Sequence, residues 1–184
     1  MLAKVLNNKI YVLYIIPFFL GCFSILGFAP FNLTFVNFFT VSSLFLLLCY
    51  VNKKTKNVYR KKPFTINLFY VGYSFGIGFF LAGNYWISYS LTVSEEFFIL
   101  IPFSIILIPV FLGLFYGLAS ILVGKYLKHN FSSILLFSVS FSLADFIRSK
   151  ILTGFPWNLW AYSWSWFTEL IQVVNISGLF AFNL

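Results

Sequence analysis

Apolar residues run along this chain in long blocks separated by short polar stretches, at about 10–29, 33–51, 64–91, 98–124 and 131–147, with another beginning near 169. Each of the first five is close to or above the roughly 20 residues that an α-helix needs to cross about 30 Å of hydrocarbon. Strands of a membrane barrel would be about 10 residues long and alternating, which this pattern is not. The blocks therefore predict an all-α, polytopic transmembrane helix bundle: one domain over residues 1–184, with about six spans, the last incomplete. Between the fifth and sixth blocks, residues 151–168 are too short and too broken to span, and they read as a re-entrant or interfacial segment.

Small residues recur at intervals of four inside the spans. Gly72 with Gly76, Ser74 with Gly78, Gly78 with Ala82, and Gly113 with Gly117 all have this spacing. In lipid it allows helix backbones to approach closely, so these positions are expected to pack helices together. Pro102 and Pro109 each remove an internal hydrogen bond from the fourth span, which predicts a kink or a displaced helix end.

Composition agrees with membrane burial: 61% of residues are hydrophobic and only 9% charged, against about 25% charged in soluble domains. The 27 Phe and 11 Tyr need no binding role, because these residue types share A/T-rich codons with the abundant Ile, Asn and Lys. A net charge of +8 would point a soluble protein towards nucleic acid. Here its distribution encodes orientation instead, and no nucleic-acid partner is expected. Lys4, Lys9, Lys53, Lys54, Lys56, Arg60, Lys61, Lys62, Lys125 and Lys128 all fall on one side of the alternating loops. Arg148 and Lys150 fall opposite, with Glu95 and Glu96, so the positive-inside rule places the amino terminus and basic loops in the cytoplasm. The apolar run from Ile10 to Ala29 is too long for a signal-peptide core and has no clear cleavage site, so it reads as a retained first helix.

Candidate chemistry is sparse. Spans one to four carry no ionisable Asp, Glu, Lys or Arg in their central parts, which weighs against a proton-coupled transporter. Cys22 and Cys49 lie at opposite depths of different spans and read as buried thiols. His129, in a Lys-His-Asn turn, reads as a solvated loop residue. No catalytic residue, metal site or cofactor is indicated.

Polar and aromatic groups gather at the outward ends. Asn84-Tyr85-Trp86 closes the third span, where Tyr and Trp anchor at headgroup level. Asp145 and Arg148 end the fifth span three residues apart, on one helical face, where they can pair. Alternatively Arg148 can grip a lipid phosphate bidentately. After Lys150 the chain enters Thr153-Gly154-Phe155-Pro156-Trp157. Gly154 opens otherwise forbidden backbone angles and Pro156 fixes φ, so a stiff turn is expected, presenting Phe155 and Trp157 at the membrane surface with Tyr162 close behind. Glu169, Gln172 and Asn175 would form a polar stripe on a sixth helix, with Glu169 pairing with neighbouring helices or capping the bundle.

At these residues the chain resembles a family, the membrane half of the bacterial apolipoprotein N-acyltransferases. Its members carry a Glu-x-Leu-Arg-Gly-x-x-x-Thr-Gly-Phe-Pro-Trp-type segment followed by Gly-Tyr-Ser. Asp145-Phe-Ile-Arg148 and Leu152-Thr-Gly-Phe-Pro-Trp157 correspond to it, as do Ala29-Pro30-Phe31, Gly83-Asn-Tyr-Trp86 and Gly178-Leu-Phe180 elsewhere. Asp145 replaces the usual Glu, Ser149 the usual Gly, and Ala161-Tyr-Ser-Trp164 the usual Gly-Tyr-Ser-Gln.

The resemblance implies a bacterial inner-membrane protein involved in moving an acyl chain from a phospholipid to the N-terminal S-diacylglyceryl-cysteine of lipoproteins. It makes Arg148, Thr153, Gly154, Phe155, Pro156, Trp157, Tyr162, Asn84 and Trp86 candidates for lipid positioning on the outer side, with Asp145 and Glu169 as structural support. The family's chemistry belongs to a nitrilase-like domain with a Glu-Lys-Cys triad, which would follow the membrane spans. The partners implied are membrane phospholipid, the diacylglyceryl lipoprotein and a separate or downstream catalytic domain. The final 16 residues, 169–184, amount to about 24 Å of helix, short of a full crossing, so the chain reads as a truncated product (a partial gene model, a frameshifted gene or one piece of a split protein), inactive alone. The competing expectation is a non-enzymatic polytopic membrane protein, such as a scaffold or permease-like subunit, in which the Trp-rich turn is only an aromatic belt.

Overall fold

The computed structural model describes residues 8–58, 64–151, 154 and 156–183. Among them every regular element is helical. We number the α-helices α1 (Ile16–Ser24), α2 (Phe35–Val58), α3 (Phe64–Asn84), α4 (Ile101–Gly124), α5 (Phe131–Arg148), α6 (Thr168–Ile171), α7 (Val174–Ser177) and α8 (Leu179–Phe182). Four helical stretches are long and apolar enough to cross a membrane: Phe35–Lys54, Thr65–Val93, Glu95–Gly124 and Phe131–Arg148. A shorter apolar stretch, Tyr11–Gly27, precedes them. The chain is thus a membrane-embedded helical bundle.

The ends of these helices follow from local chemistry. Pro102 sits in the first turn of α4, where its missing N–H costs nothing, while Tyr85–Val93 and Glu95–Leu100 continue the hairpin as 3₁₀-helix. Asn130 caps α5, its side chain accepting from the Ser133 backbone N–H at 2.9 Å. The Asn52 amide donates to the carbonyls of Lys125 and Leu127, both at 3.3 Å, tying α2 to the α4–α5 turn.

α3 is the central helix, packing most extensively on α4 and then on α1 and α2. Leu68, Val71, Phe75, Phe79 and Phe80 along it are wholly buried. The close approach is made by glycine. A Cβ on Gly76 would lie 2.8 Å from the Gly113 Cα, and one on Gly78 would run into the Phe18 carbonyl of α1. Both contacts realise the spacing of four, and in lipid such dispersion contacts replace a hydrophobic driving force. Phe111, Leu114, Leu118 and Leu122 point outward from α4 and are exposed, as suits a lipid-facing stripe.

The sequence after residue 168 departs from a single sixth helix. It folds as the one-turn pieces α6, α7 and α8, broken by a turn at Gln172-Val173 and by Gly178 at φ 79°. Apolar composition alone reads as helix there, but these backbone breaks win. The segment turns back onto the bundle.

Candidate functional site

Two features meet where α3 and α5 end and the returning segment docks. The first is a buried polar knot. Asp145 and Arg148 share one face of α5, and the Arg148 Nε donates to Asp145 Oδ1 at 2.9 Å with both side chains wholly buried. Asn183 closes the knot from the far end of the chain: its Nδ2 donates to Asp145 Oδ2 at 3.0 Å, and its Oδ1 accepts from the Ala161 backbone N–H at 3.0 Å. The guanidinium also lies over the Phe80 ring, 4.9 Å from its centroid. The buried Tyr116 hydroxyl lies near the Asp145 carboxylate without full hydrogen-bond geometry. A charge pair this deep depends on the further hydrogen bond that Asn183 brings to the carboxylate. The knot is the bolt that fastens residues 160–183 to α5.

Aromatic stacking holds the same segment from its other side. Trp160 stacks on Phe79 at 4.8 Å and 24°, within the cluster that contains Phe75 and Phe28. The Thr34 hydroxyl donates to the Ser163 carbonyl at 2.6 Å and accepts from Trp166 Nε1 at 2.9 Å, which pins the segment to the start of α2.

The second feature is a cavity of about 230 Å³ between α2, α5 and the docked segment. Phe38, Val41 and Leu44 line it from α2, Phe137 and Phe141 from α5, and Trp164 from above. Ser42, Ser138 and Ser142 also line it, and of its α2 lining Phe38 and Ser42 are exposed.

The residues singled out from the sequence distribute unevenly over this geometry. Gly154 has φ 79° and its N–H donates to the Ile151 carbonyl at 3.0 Å. Pro156 is exposed, Tyr162 half-buried against the core, and Glu169 exposed at the start of α6. Thr153 and Phe155 lie outside the described residues. Asn84 is buried and accepts from the Asn158 side chain at 2.8 Å. Trp86 and Trp157 meet edge to face at 5.4 Å and remain about half exposed, forming a small aromatic ledge at the rim. Arg148 is 1% exposed. It pairs inward with Asp145, the first of the two readings its position allowed, and offers no guanidinium surface to a headgroup. Glu169, Gln172 and Asn175 are all exposed, and the break after α6 leaves them on no common helix.

Sequence reasoning missed Asn183, Thr34, Asn158 and the inward role of Trp160. Asn158 carried a legible signal: it adopts φ 54°, a left-handed conformation that asparagine tolerates better than most residues. Cys22 and Cys49 are free; the Cys22 thiol donates to the Gly78 carbonyl at 3.4 Å, and Cys49 is buried in α2. The arrangement is built to hold a segment and to expose aromatic and apolar surface.

Comparison with known proteins adds an independent line. Residues 20–184 match the family model described as the apolipoprotein N-acyltransferase N-terminal domain. The chain is 36% identical over 170 residues to the apolipoprotein N-acyltransferase of Rickettsia prowazekii, covering 92% of this chain and 32% of the relative. It is 32% identical over 161 residues to that of Rhizobium etli, covering 86% and 29%. The chain therefore spans about a third of the length of the curated relatives it matches.

Proposed function

The chain belongs to the apolipoprotein N-acyltransferase N-terminal domain family, and from that membership we propose that it is the membrane portion of such an enzyme, holding lipid in place while chemistry happens elsewhere. The reaction moves an acyl chain from a phospholipid to the amino terminus of a diacylglyceryl-cysteine lipoprotein, through a thioester on a cysteine of a nitrilase-like domain. This chain's part is positional. The observation that carries the reading is the buried Asp145–Arg148–Asn183 knot, which docks the Trp-rich segment rigidly beside a cavity lined by aromatic, aliphatic and hydroxyl side chains.

Rigid docking matters because a membrane-boundary group misplaced by about 1 Å can cost 10²-fold in a transfer reaction. In this proposal Trp86 and Trp157 form the ledge that lipid meets, with Asn84 bracing it through Asn158 and Gly154 and Pro156 setting the turn. Thr153, Phe155 and Tyr162 are carried in this proposal as lipid-positioning residues from the sequence motif alone. Arg148 acts from inside, as a positioning residue, and Asp145 supports it. The orientation is that of a bacterial inner-membrane protein with its lysine-rich loops in the cytoplasm and the Gly154–Trp157 turn on the outer side.

Residues 1–184 alone hold no acyl-enzyme nucleophile in this reading, so their expression will not rescue a strain depleted of the acyltransferase. Triacylated lipoprotein, seen by mass spectrometry in that strain, would overturn the assignment of the chemistry to another domain.

A further inference from the structure

The end of the bundle opposite the Trp86–Trp157 ledge gathers positive charge from two distant parts of the chain. The apolar span of α2, Phe35–Lys54, is 20 residues long. At 1.5 Å per residue it covers about 30 Å, so Lys53 and Lys54 lie one hydrocarbon thickness from its start. α5 begins at Phe131 and ends at Arg148, which puts the turn before it, with Lys125 and Lys128, at the same end. The Asn52 amide joins the two. It is 5% exposed and donates to the Lys125 and Leu127 carbonyls across 73 and 75 residues of chain.

The turn is held in place. The Lys128 backbone N–H donates to the Ser133 hydroxyl at 2.9 Å, and the Asn130 N–H donates to the Lys128 carbonyl at 2.9 Å. Lys53, Lys125 and Lys128 are exposed and Lys54 is half-buried. The chain's four acidic side chains are Glu95, Glu96, Asp145 and Glu169, none of them in these two segments. This end is therefore strongly cationic.

We propose that it is a binding site for the anionic headgroup of a phospholipid, bridged between the end of α2 and the α4–α5 turn. The site goes beyond acyl transfer. Its lipid lies in the leaflet away from the ledge, is recognised by charge, and is bound without being consumed.

The surroundings of the lysines select the occupant. Lys54 Nζ donates to the Tyr50 hydroxyl at 3.1 Å, and Lys125 Nζ lies 4.7 Å from the Tyr126 ring centroid. Tyrosines in this position mark the headgroup level. Within two turns of the lysines, on the bilayer side, Leu46 is 52% and Leu122 63% exposed. A ligand that reaches the ammonium groups thus lies beside uncovered hydrocarbon. An anionic phospholipid satisfies both surfaces at once, whereas nucleic acid and free phosphate carry the charge without the apolar part. Basic clusters just beyond a span attract anionic lipid in this way.

The test titrates the purified chain in neutral detergent with fluorescent phosphatidylglycerol or phosphatidylcholine of identical acyl chains, and follows binding by anisotropy. Phosphatidylglycerol should bind at least about tenfold more tightly. Lys53→Gln with Lys54→Gln, and separately Lys125→Gln with Lys128→Gln, should each weaken it by about fivefold per lysine. Arginine at the same four positions should retain it, and Lys150→Gln, at the other end, should leave it unchanged. Should the glutamine variants fail to fold, the unaltered chain decides: salt at about 1 M, where the Debye length is about 3 Å, must remove the preference. Equal binding of the two lipids, a preference that survives salt, or the same loss in Lys150→Gln would each overturn the proposal. Loss confined to one lysine pair would overturn the bridge. Displacement of the lipid by inorganic phosphate or by a single-stranded oligonucleotide would overturn it in favour of a soluble anion. Because this assay reads binding away from the ledge, its failure would leave the acyl-transfer reading to be judged by activity alone.

Discussion

Asp145 and Asn183 are joined by a 3.0 Å hydrogen bond although 38 residues separate them in the chain, and both are buried. This bond, with the Trp160 stacking and the Thr34 hydrogen bonds, makes the returning segment part of the bundle. On its α5 side it leans on Arg148, so the three residues act as one unit.

Removing two members should therefore cost less than the sum of removing each alone. Arg148→Met leaves the Asp145 carboxylate buried without its charge partner and should destabilise the fold by about 3–5 kcal/mol. Asp145→Asn combined with Arg148→Met should lose clearly less than the two single changes added together. Thermal unfolding of the purified chain in detergent measures this, and additive losses would mean that the pair is not coupled.

The close packing of α3 predicts a second pattern. Gly76→Leu forces side-chain bulk against the Gly113 backbone and should cost about 1–3 kcal/mol or more. Leucine at Leu118's neighbour Gly117 would likewise strike the Phe69 ring. Gly178→Ala is different in kind, because nothing lies within 4 Å and only its φ of 79° resists the change. Unfolding in detergent should rank Gly76→Leu well below Gly178→Ala in stability; the reverse order would show that the α3–α4 contact is loose.

Much of this was legible because helices write their geometry into spacing. The charge pair at an interval of three and the glycines at intervals of four each specify a face, and Asp145 with Arg148 and Gly76 with Gly113 took those faces. Residues outside helices carry no such period. Nothing in the run from Trp157 to Trp166 says that Trp160 turns inward while Trp157 stays at the rim, since that choice depends on the Phe79 ring waiting across the bundle. Asn183 was invisible for a related reason: its partners are set by where the chain returns. The sixth helix was over-read from apolar composition, which is blind to the break after Ile171 and to the backbone angle at Gly178.

Orientation gives a third prediction. Reporter fusions or single-cysteine labelling should place Lys54 and Lys128 in the cytoplasm and Glu95 and Lys150 outside, following the lysine distribution. A cytoplasmic Lys150 would put the Trp86–Trp157 ledge on the wrong side for an acceptor outside the cell membrane.

The most direct measurement replaces the matching portion of the Rickettsia prowazekii relative, 36% identical over 170 residues, with this chain and expresses the chimera in a strain depleted of apolipoprotein N-acyltransferase. If this chain positions lipid for the family's reaction, mass spectrometry will find triacylated lipoprotein and the strain will grow. A chimera that inserts stably in the membrane yet leaves lipoproteins diacylated would contradict the account.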